Sequence, residues 1–260
     1  MNSSAGALMA LALCAPAAVG AQELFAGAWK TDPEQPAGLG TTVTYSTSVK
    51  GGEHYSNNRN REYDFAMDGH DYPTDRPGAT VRWDRTGSSS WTSVEKIEGK
   101  VTREIQLSLS ADDQTLTSTY TWFNPASRTA KGSAVFSRVA GTSGIEGTWR
   151  VVKRVEEPDT LTIFFPAPGQ LHLNIDPIDY TWTGSMDGAF RPVHCPMLSP
   201  GTTSAFQLAG ARRMNSETKV NGTTVSVDKW EISEDGKKLS RTIWAPGHED
   251  KTLVLTLKRQ

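Results

Sequence analysis

Apolar and polar residues alternate along several stretches of the chain. Val101, Ile105, Leu107 and Leu109 alternate with polar residues, as do Leu171, Leu173 and Ile175, and Leu253, Leu255 and Leu257. A two-residue period places each set on one face of a β-strand and predicts sheets with one buried side. Asn221-Gly222 is a two-residue hairpin signal, and Met67-Asp68-Gly69 and Glu234-Asp235-Gly236 carry its Asp-Gly form. No window of about 11 to 18 residues carries a helical period. Long strands joined by tight turns would leave two exposed edges in an open sheet, and closure removes them. The expected fold is therefore all-β, with antiparallel up-and-down barrels; one continuous β-sandwich is the alternative.

The pattern is written twice. Phe25-Ala-Gly-Ala-Trp29-Lys30 recurs 120 residues later as Ile145-Glu-Gly-Thr-Trp149-Arg150. Met67-Asp68-Gly69 with Pro73 recurs as Met186-Asp187-Gly188 with Pro192, and Ser110-Ala-Asp-Asp-Gln-Thr-Leu116 as Ser233-Glu-Asp-Gly-Lys-Lys-Leu239. Matched blocks keep their order while their offset drifts only between 118 and 123, as loop insertions within a duplicated unit would make it. Two tandem units follow, residues 22–140 and 141–260, with a joint near residues 139–144. The duplication makes the sandwich the weaker reading.

Composition narrows the function. Lys and Arg number 27 against 29 Asp and Glu, a net charge of −2, which leaves no electrostatic footprint for nucleic acid. Eight Trp, eight Phe and six Tyr supply apolar material for folded cores. Residues 1–21 carry no charge and end in Val19-Gly20-Ala21, so they read as a secretory signal peptide cleaved after Ala21. Export, to the periplasm or outside the cell, is expected, with no transmembrane segment in the folded body. Cys195 is then the only thiol, free or paired between chains, and no internal disulfide is possible. Oligomeric state is left open.

Gly27-Ala28-Trp29 and Gly147-Thr148-Trp149 open the two units, and Arg138 and Arg259 lie at their ends. Together with Asp-Gly-x-x-x-Pro, Ser-x-Asp-Gly-Lys-x-Leu and a closing Phe-x-Arg-Val, this pattern resembles the lipocalin-like, or calycin, domains of small exported bacterial proteins. The resemblance implies that a Trp closes one end of each barrel and that the Arg of the same unit lies across its ring. It implies little about chemistry, because a fold does not fix a function.

Named catalytic and cofactor motifs are absent, and neither a cofactor nor a metal is expected. Asp112-Asp113 and Glu234-Asp235 read as solvated turns. His54 and His172 fall on the outward face, His70-Asp71 reads as a turn, and His194-Cys195 has no further ligand to make a metal site. Strand phase is more informative. Val101, Arg103, Ile105, Leu107 and Leu109 share a face, as do Thr224, Ser226, Asp228, Trp230 and Ile232 in the second unit. Arg61, Tyr63, Phe65 and Met67, and Leu239, Arg241 and Ile243, mix character in the same way. A sealed core would not hold such charges, whereas an open barrel mouth would.

The expected activity is binding of a small, mainly hydrophobic or aromatic molecule. The candidate contacts are Arg61, Tyr63, Arg103, Tyr180, Trp182, Asp228 and Trp230. An alternative is a cofactor-independent hydratase, cyclase, isomerase or lyase using Arg103 with Asp228, or with Asp64 and His70. A second alternative is a non-catalytic envelope module.

Overall fold

In the computed structural model of the protein, the described residues are all but 1–19, 21, 33–37, 60, 124–128, 158 and 177. The expected leader lies almost wholly outside them. The strands, in chain order, are β1 (Gly27–Thr31), β2 (Thr42–Thr47), β3 (Glu53–Asn57), β4 (Glu62–Phe65), β5 (Asp68–Pro73), β6 (Ala79–Gly87), β7 (Ser90–Ile97), β8 (Lys100–Leu109), β9 (Thr115–Phe123) and β10 (Thr129–Ala140). The second half gives β11 (Gly147–Glu156), β12 (Thr160–Phe164), β13 (Gln170–Asp176), β14 (Tyr180–Ser185), β15 (Arg191–Pro192), β16 (Thr202–Gly210), β17 (Arg213–Val220), β18 (Thr223–Ile232), β19 (Lys238–Trp244) and β20 (Leu253–Arg259). They form two ten-stranded antiparallel sheets, each curled into a nearly closed barrel. No helix among the described residues is long and apolar enough to cross a membrane.

The barrels do not follow the two sequence units. Barrel one is β2 to β11, and barrel two is β1 with β12 to β20. Each unit's first strand completes the other unit's barrel: β1 lies between β12 and β20, and β11 between β2 and β10. The division at residue 140 therefore describes the duplication but not the sheets. The pairing of Trp with Arg is corrected likewise. Arg138 lies 4.0 Å over Trp149, and Arg259 lies 4.2 Å over Trp29, so each ring is covered by the other unit's arginine.

The two closed ends are otherwise alike. Trp29 Nε1 donates to the Phe25 carbonyl at 2.9 Å, and Trp149 Nε1 to the Ile145 carbonyl at 2.8 Å. Arg259 donates to the Ala26 and Leu24 carbonyls of the chain leading into β1; Arg138 donates to those of Glu146 and Gly144. The glycine two residues before each Trp, Gly27 or Gly147, has φ near +130°, a conformation that disfavours side chains. A Cβ on Gly147 would stand 2.3 Å from the Ala140 carbonyl.

Two separate cores result. Trp83, Phe65, Leu116 and Trp149 anchor barrel one, while Trp29, Leu171, Leu173, Trp182, Met214 and Trp230 anchor barrel two. Each buried aromatic side chain removes about 150–250 Å² from water, so the Trp and Phe rings dominate the stability of each core. The Asn221-Gly222 hairpin forms as expected, with φ of 50° and 83°. The two Asp-Gly sites at 68–69 and 187–188 do not make hairpins. They lie where β4 gives way to β5 and β14 to β15, the unpaired seam of each sheet. Barrel two is stitched across its seam by a Thr181–His194 bridge.

The shared inward face of β8 holds except at its start. A β-bulge between Glu95 and Lys96 sets Arg103 opposite Glu95 and Val101 opposite Lys96. Thr102 is thereby buried and Val101 exposed, contrary to the strict alternation. The second barrel has its bulge at the equivalent step, between Thr218 and Lys219.

Candidate functional site

The chain passes between barrels twice, at residues 32–41 and 157–159, where Thr31 donates to the Asp159 carbonyl at 3.0 Å. Beside these crossings the open ends of both barrels meet a cavity of about 1000 Å³. This is at the upper end of the range for small-molecule sites. Barrel one lines it with Arg61, Arg76, Tyr120, Trp122, Ala130 and Arg154. Barrel two contributes Ile175, Tyr180, Arg241, Ile243, Leu253 and Leu255, and the crossings contribute Thr31, Asp32, Glu157 and Asp159.

Local sequence explains how the polar groups are held. The Asn57 side-chain oxygen accepts from the Arg59 and Arg61 backbone N–H groups, at 2.9 and 3.1 Å, and so shapes the β3–β4 turn. Pro73-Thr-Asp-Arg-Pro-Gly78 makes the β5–β6 turn, in which Arg76 N donates to Thr74 Oγ1 at 3.2 Å and Ala79 N to the Arg76 carbonyl at 3.1 Å. The Arg76 guanidinium then reaches across to barrel two and donates to the Met197 carbonyl at 3.0 Å. Gly132 makes room for the aromatic wall: a Cβ there would stand 2.5 Å from the Tyr120 ring.

Charges around the cavity are mostly paired. Arg61 meets Asp75 at 2.8 Å, Arg154 meets Glu156 at 2.5 Å, and Arg241 meets Asp228 at 2.7 Å. Tyr120 donates to Glu156 at 2.6 Å. Beneath Trp122 lies a second layer, where Arg103 is 4.6 Å from the ring centre and pairs with Glu95. Burial alone would raise the Glu95 carboxyl, but Arg103, with Arg61 and Arg76, holds it below its ordinary value. Burial, then the Arg61 charge, lowers Arg76; burial, then Arg154, lowers Arg59. Asp159 is pushed the other way, up to about 6, by burial and then by Glu156.

The residues singled out from the sequence are divided by this geometry. Arg61 and Tyr180 line the cavity. Tyr63 is buried and stacked on Tyr55 at 4.8 Å, and Trp182 and Trp230 are core residues with 1 % and 2 % exposure. Arg103 and Asp228 lie in the barrel interiors, each in an ion pair. Asp228, 1 % exposed, also accepts from Ser216 at 3.0 Å and from Ser226 at 2.7 Å. Asp64 and His70 are not brought together. Asp64 sits with His54 at 2.9 Å and Lys50 at 3.1 Å, which with Ser48 lower its carboxyl to about 2. His70 is an exposed β5 residue 3.3 Å from Asp68, on a strand instead of the expected turn. His172 donates or accepts at Thr183, 2.7 Å away, and stacks on Phe164. Cys195 is free, with its thiol pushed up by burial and bonded to the Ile178 carbonyl at 3.5 Å. No cluster of three or more potential metal ligands occurs among the described residues.

Strand phase within one unit does not reveal Arg59, Arg76, Glu95 or Asp159. Glu95 could have been found from Arg103 had the bulge been recognised, because the bulge alone makes them cross-strand partners. Arg76 and Asp159 lie outside strands, where no periodicity applies. No family model, curated protein or solved structure matches the chain.

Proposed function

We propose that the chain is an exported, lipocalin-like binding protein for a small, mainly hydrophobic molecule, seated in the cavity between the barrels. The observation that carries this reading is the contrast between two packed cores and one large cavity walled by Ile, Leu, Tyr and Trp side chains from both barrels. Concave apolar sites with a few polar groups are where small ligands bind. Titration of the intrinsic Trp fluorescence with fatty acids, retinoids, terpenoids and lignin-like aromatics tests it, since Trp122 lies in the wall. Saturable quenching that is weakened in Leu255→Trp, which narrows the apolar side of the cavity, is expected. No change with any class up to millimolar ligand would remove the reading.

Asp159 favours a second reading, proton transfer on an apolar substrate. Its carboxyl lines the cavity and is held near pH 6 by burial and by Glu156, within the range useful to a general acid or base. Asp228, fixed between Arg241 and two serines inside barrel two, is a structural partner in this scheme. Turnover of a bound ligand, lost in Asp159→Asn with binding retained, would support catalysis; unchanged ligand after long incubation would exclude it for that ligand.

A further inference from the structure

We infer that the ligand of the inter-barrel cavity is an amphipathic monocarboxylate, bound with its carboxylate against Arg76 and its apolar body in the mouth of barrel two. This rests on the binding reading above and adds the ligand's class and orientation.

The inference follows from charge balance, taken group by group among the described residues. Arg154 pairs with Glu156, Arg59 donates to Thr41 Oγ1 at 2.6 Å, and the remaining charges on that side, Arg59 and Lys131 against Glu157 and Asp159, balance two to two. Arg241 stands with Asp228, and Asp32 with Lys258 at 3.0 Å. The third group is different. Arg61, Arg76 and Arg103 share only two carboxylates, Asp75 and Glu95, and each of these is taken by another arginine. Arg76 is left with one backbone acceptor, the Met197 carbonyl, for a five-donor guanidinium. A partly buried cation with unused donors at a cavity wall is stabilised by an anion that completes its fork, and a carboxylate matches that fork in shape and in charge. One surplus positive charge matches one negative charge, which favours a monocarboxylate over a dianionic phosphate monoester.

The other side of the cavity has the opposite character. Ile175, Ile243, Leu253 and Leu255 line it from barrel two, and their equivalents across the duplication in barrel one include Asn57 and Tyr120. The site thus has a polar pole in barrel one and an apolar pole in barrel two. A ligand with a single acidic end binds in one orientation, spanning both barrels.

Palmitic, abietic and retinoic acids, each beside its methyl ester, together with hexadecyl phosphate, test this on the full chain by Trp fluorescence and calorimetry. For any skeleton that binds, the acid is expected to bind roughly tenfold or more tightly than its ester, the fold-change of a charge-assisted hydrogen bond. Arg76→Gln should erase that preference by bringing acid affinity down to the level of the ester in the same variant, and Arg76→Lys should restore part of it. Asp75→Asn frees Arg61 and should strengthen acid binding alone, so the test does not depend on a variant that loses function. Equal affinity of acid and ester, an undiminished preference in Arg76→Gln, or hexadecyl phosphate binding more tightly than palmitate would each overturn the assignment. Absence of binding by every acid and every ester would instead overturn the binding reading itself.

Discussion

The two barrels have the same frame and different interiors. Their Trp-closed ends, their arginine caps and the bulge between β7 and β8 or β17 and β18 coincide residue for residue across the duplication. Each also hides one ion pair, but not in the same place. Arg103 and Glu95 of barrel one correspond to Ser226 and Thr218 in barrel two, while Asp228 and Arg241 of barrel two correspond to Ile105 and Ser118. Frame residues answer to backbone geometry, which both copies must satisfy. Interior polar residues answer only to one another, so they change as sets. A half-changed set leaves a trace: Ser216 in barrel two donates to Asp228 and accepts from Trp230 Nε1 at 2.9 Å. Its counterpart Ser93, set opposite Ile105 instead, has a buried hydroxyl without a partner, as does the ring nitrogen of Trp83 beside it.

The exchange of first strands gives the sharpest way to break the comparison. Trp29→Ala should destabilise by about 3–5 kcal/mol, the cost of a large cavity in a core. Hydrogen exchange should place the damage in barrel two, at residues 160–259, although Trp29 belongs to the first unit. Trp149→Ala should do the converse. Protection lost within the variant's own sequence unit would contradict the exchanged topology.

Next in size are the ion pairs. Asp228→Ala strips the acceptor from Arg241, Ser216 and Ser226 at a site with 1 % exposure, and about 3 kcal/mol is expected. The barrel-one equivalent, Ile105→Ala, tests packing alone. Replacing both Asp228 and Arg241 with Leu and Met should cost much less than the single change, because an intact apolar pair strands no charge. Urea denaturation of the four proteins measures this.

The serines should separate the barrels by sign. Ser216→Ala removes a bridging hydroxyl and should cost about 1–3 kcal/mol. Ser93→Ala removes an unpartnered one and should be neutral or stabilising. Equal losses at the two positions would show that barrel one satisfies Ser93 after all.

The last comparison is a pH dependence. Asp159 has a folded-state pKa raised to about 6, above the ordinary carboxyl value of 3.8. The folded protein therefore holds this proton more tightly than the unfolded chain, and Asp159 lowers stability as pH rises through the interval between those values. Asp159→Asn should flatten that segment of the stability curve and raise stability at pH 7, with no gain below pH 4. Asp64, lowered to about 2, acts in the opposite sense on the surface: its contribution is present above pH 4 and fades as pH falls toward 2.

Much of the frame was legible. Strand period gave the all-β class, and the Asn221-Gly222 hairpin was readable because type I′ turns demand positive φ at both positions. Met67-Asp68-Gly69 misled, since the same dipeptide serves a seam crossing next to a register shift in β5. Val101 misled because a single bulge reverses phase, and a bulge leaves no hydrophobic signature. A sealed core was not expected to hold Arg103, Asp228 or Arg241, yet Arg103 and Asp228 lie inside the barrels, held there by Glu95 and Arg241, because cross-strand pairing offsets the cost of their burial. Arg76, Asp159 and Met197 approach from different turns and different barrels, a proximity that no local pattern encodes.

The sequence by itself determined strand positions, the closing Gly-x-Trp of each unit and the duplication, because these depend on side-chain period and on backbone conformations that few residues tolerate. It did not determine which barrel each first strand completes. β1 and β11 carry the same motif and fit the same kind of gap between a second and a last strand. Tertiary structure decided it through chain connectivity. β11 follows β10 after a loop over residues 141–146 and pairs along it from Ala140–Thr148 to Gly132–Glu156. That short closure costs little entropy. β1 pairs with β20 only from Trp29–Arg259 to Thr31–Leu257, at the far end of the chain. The nearer and longer strand takes the gap in barrel one, β1 closes barrel two, and the two crossings this requires border the cavity between them.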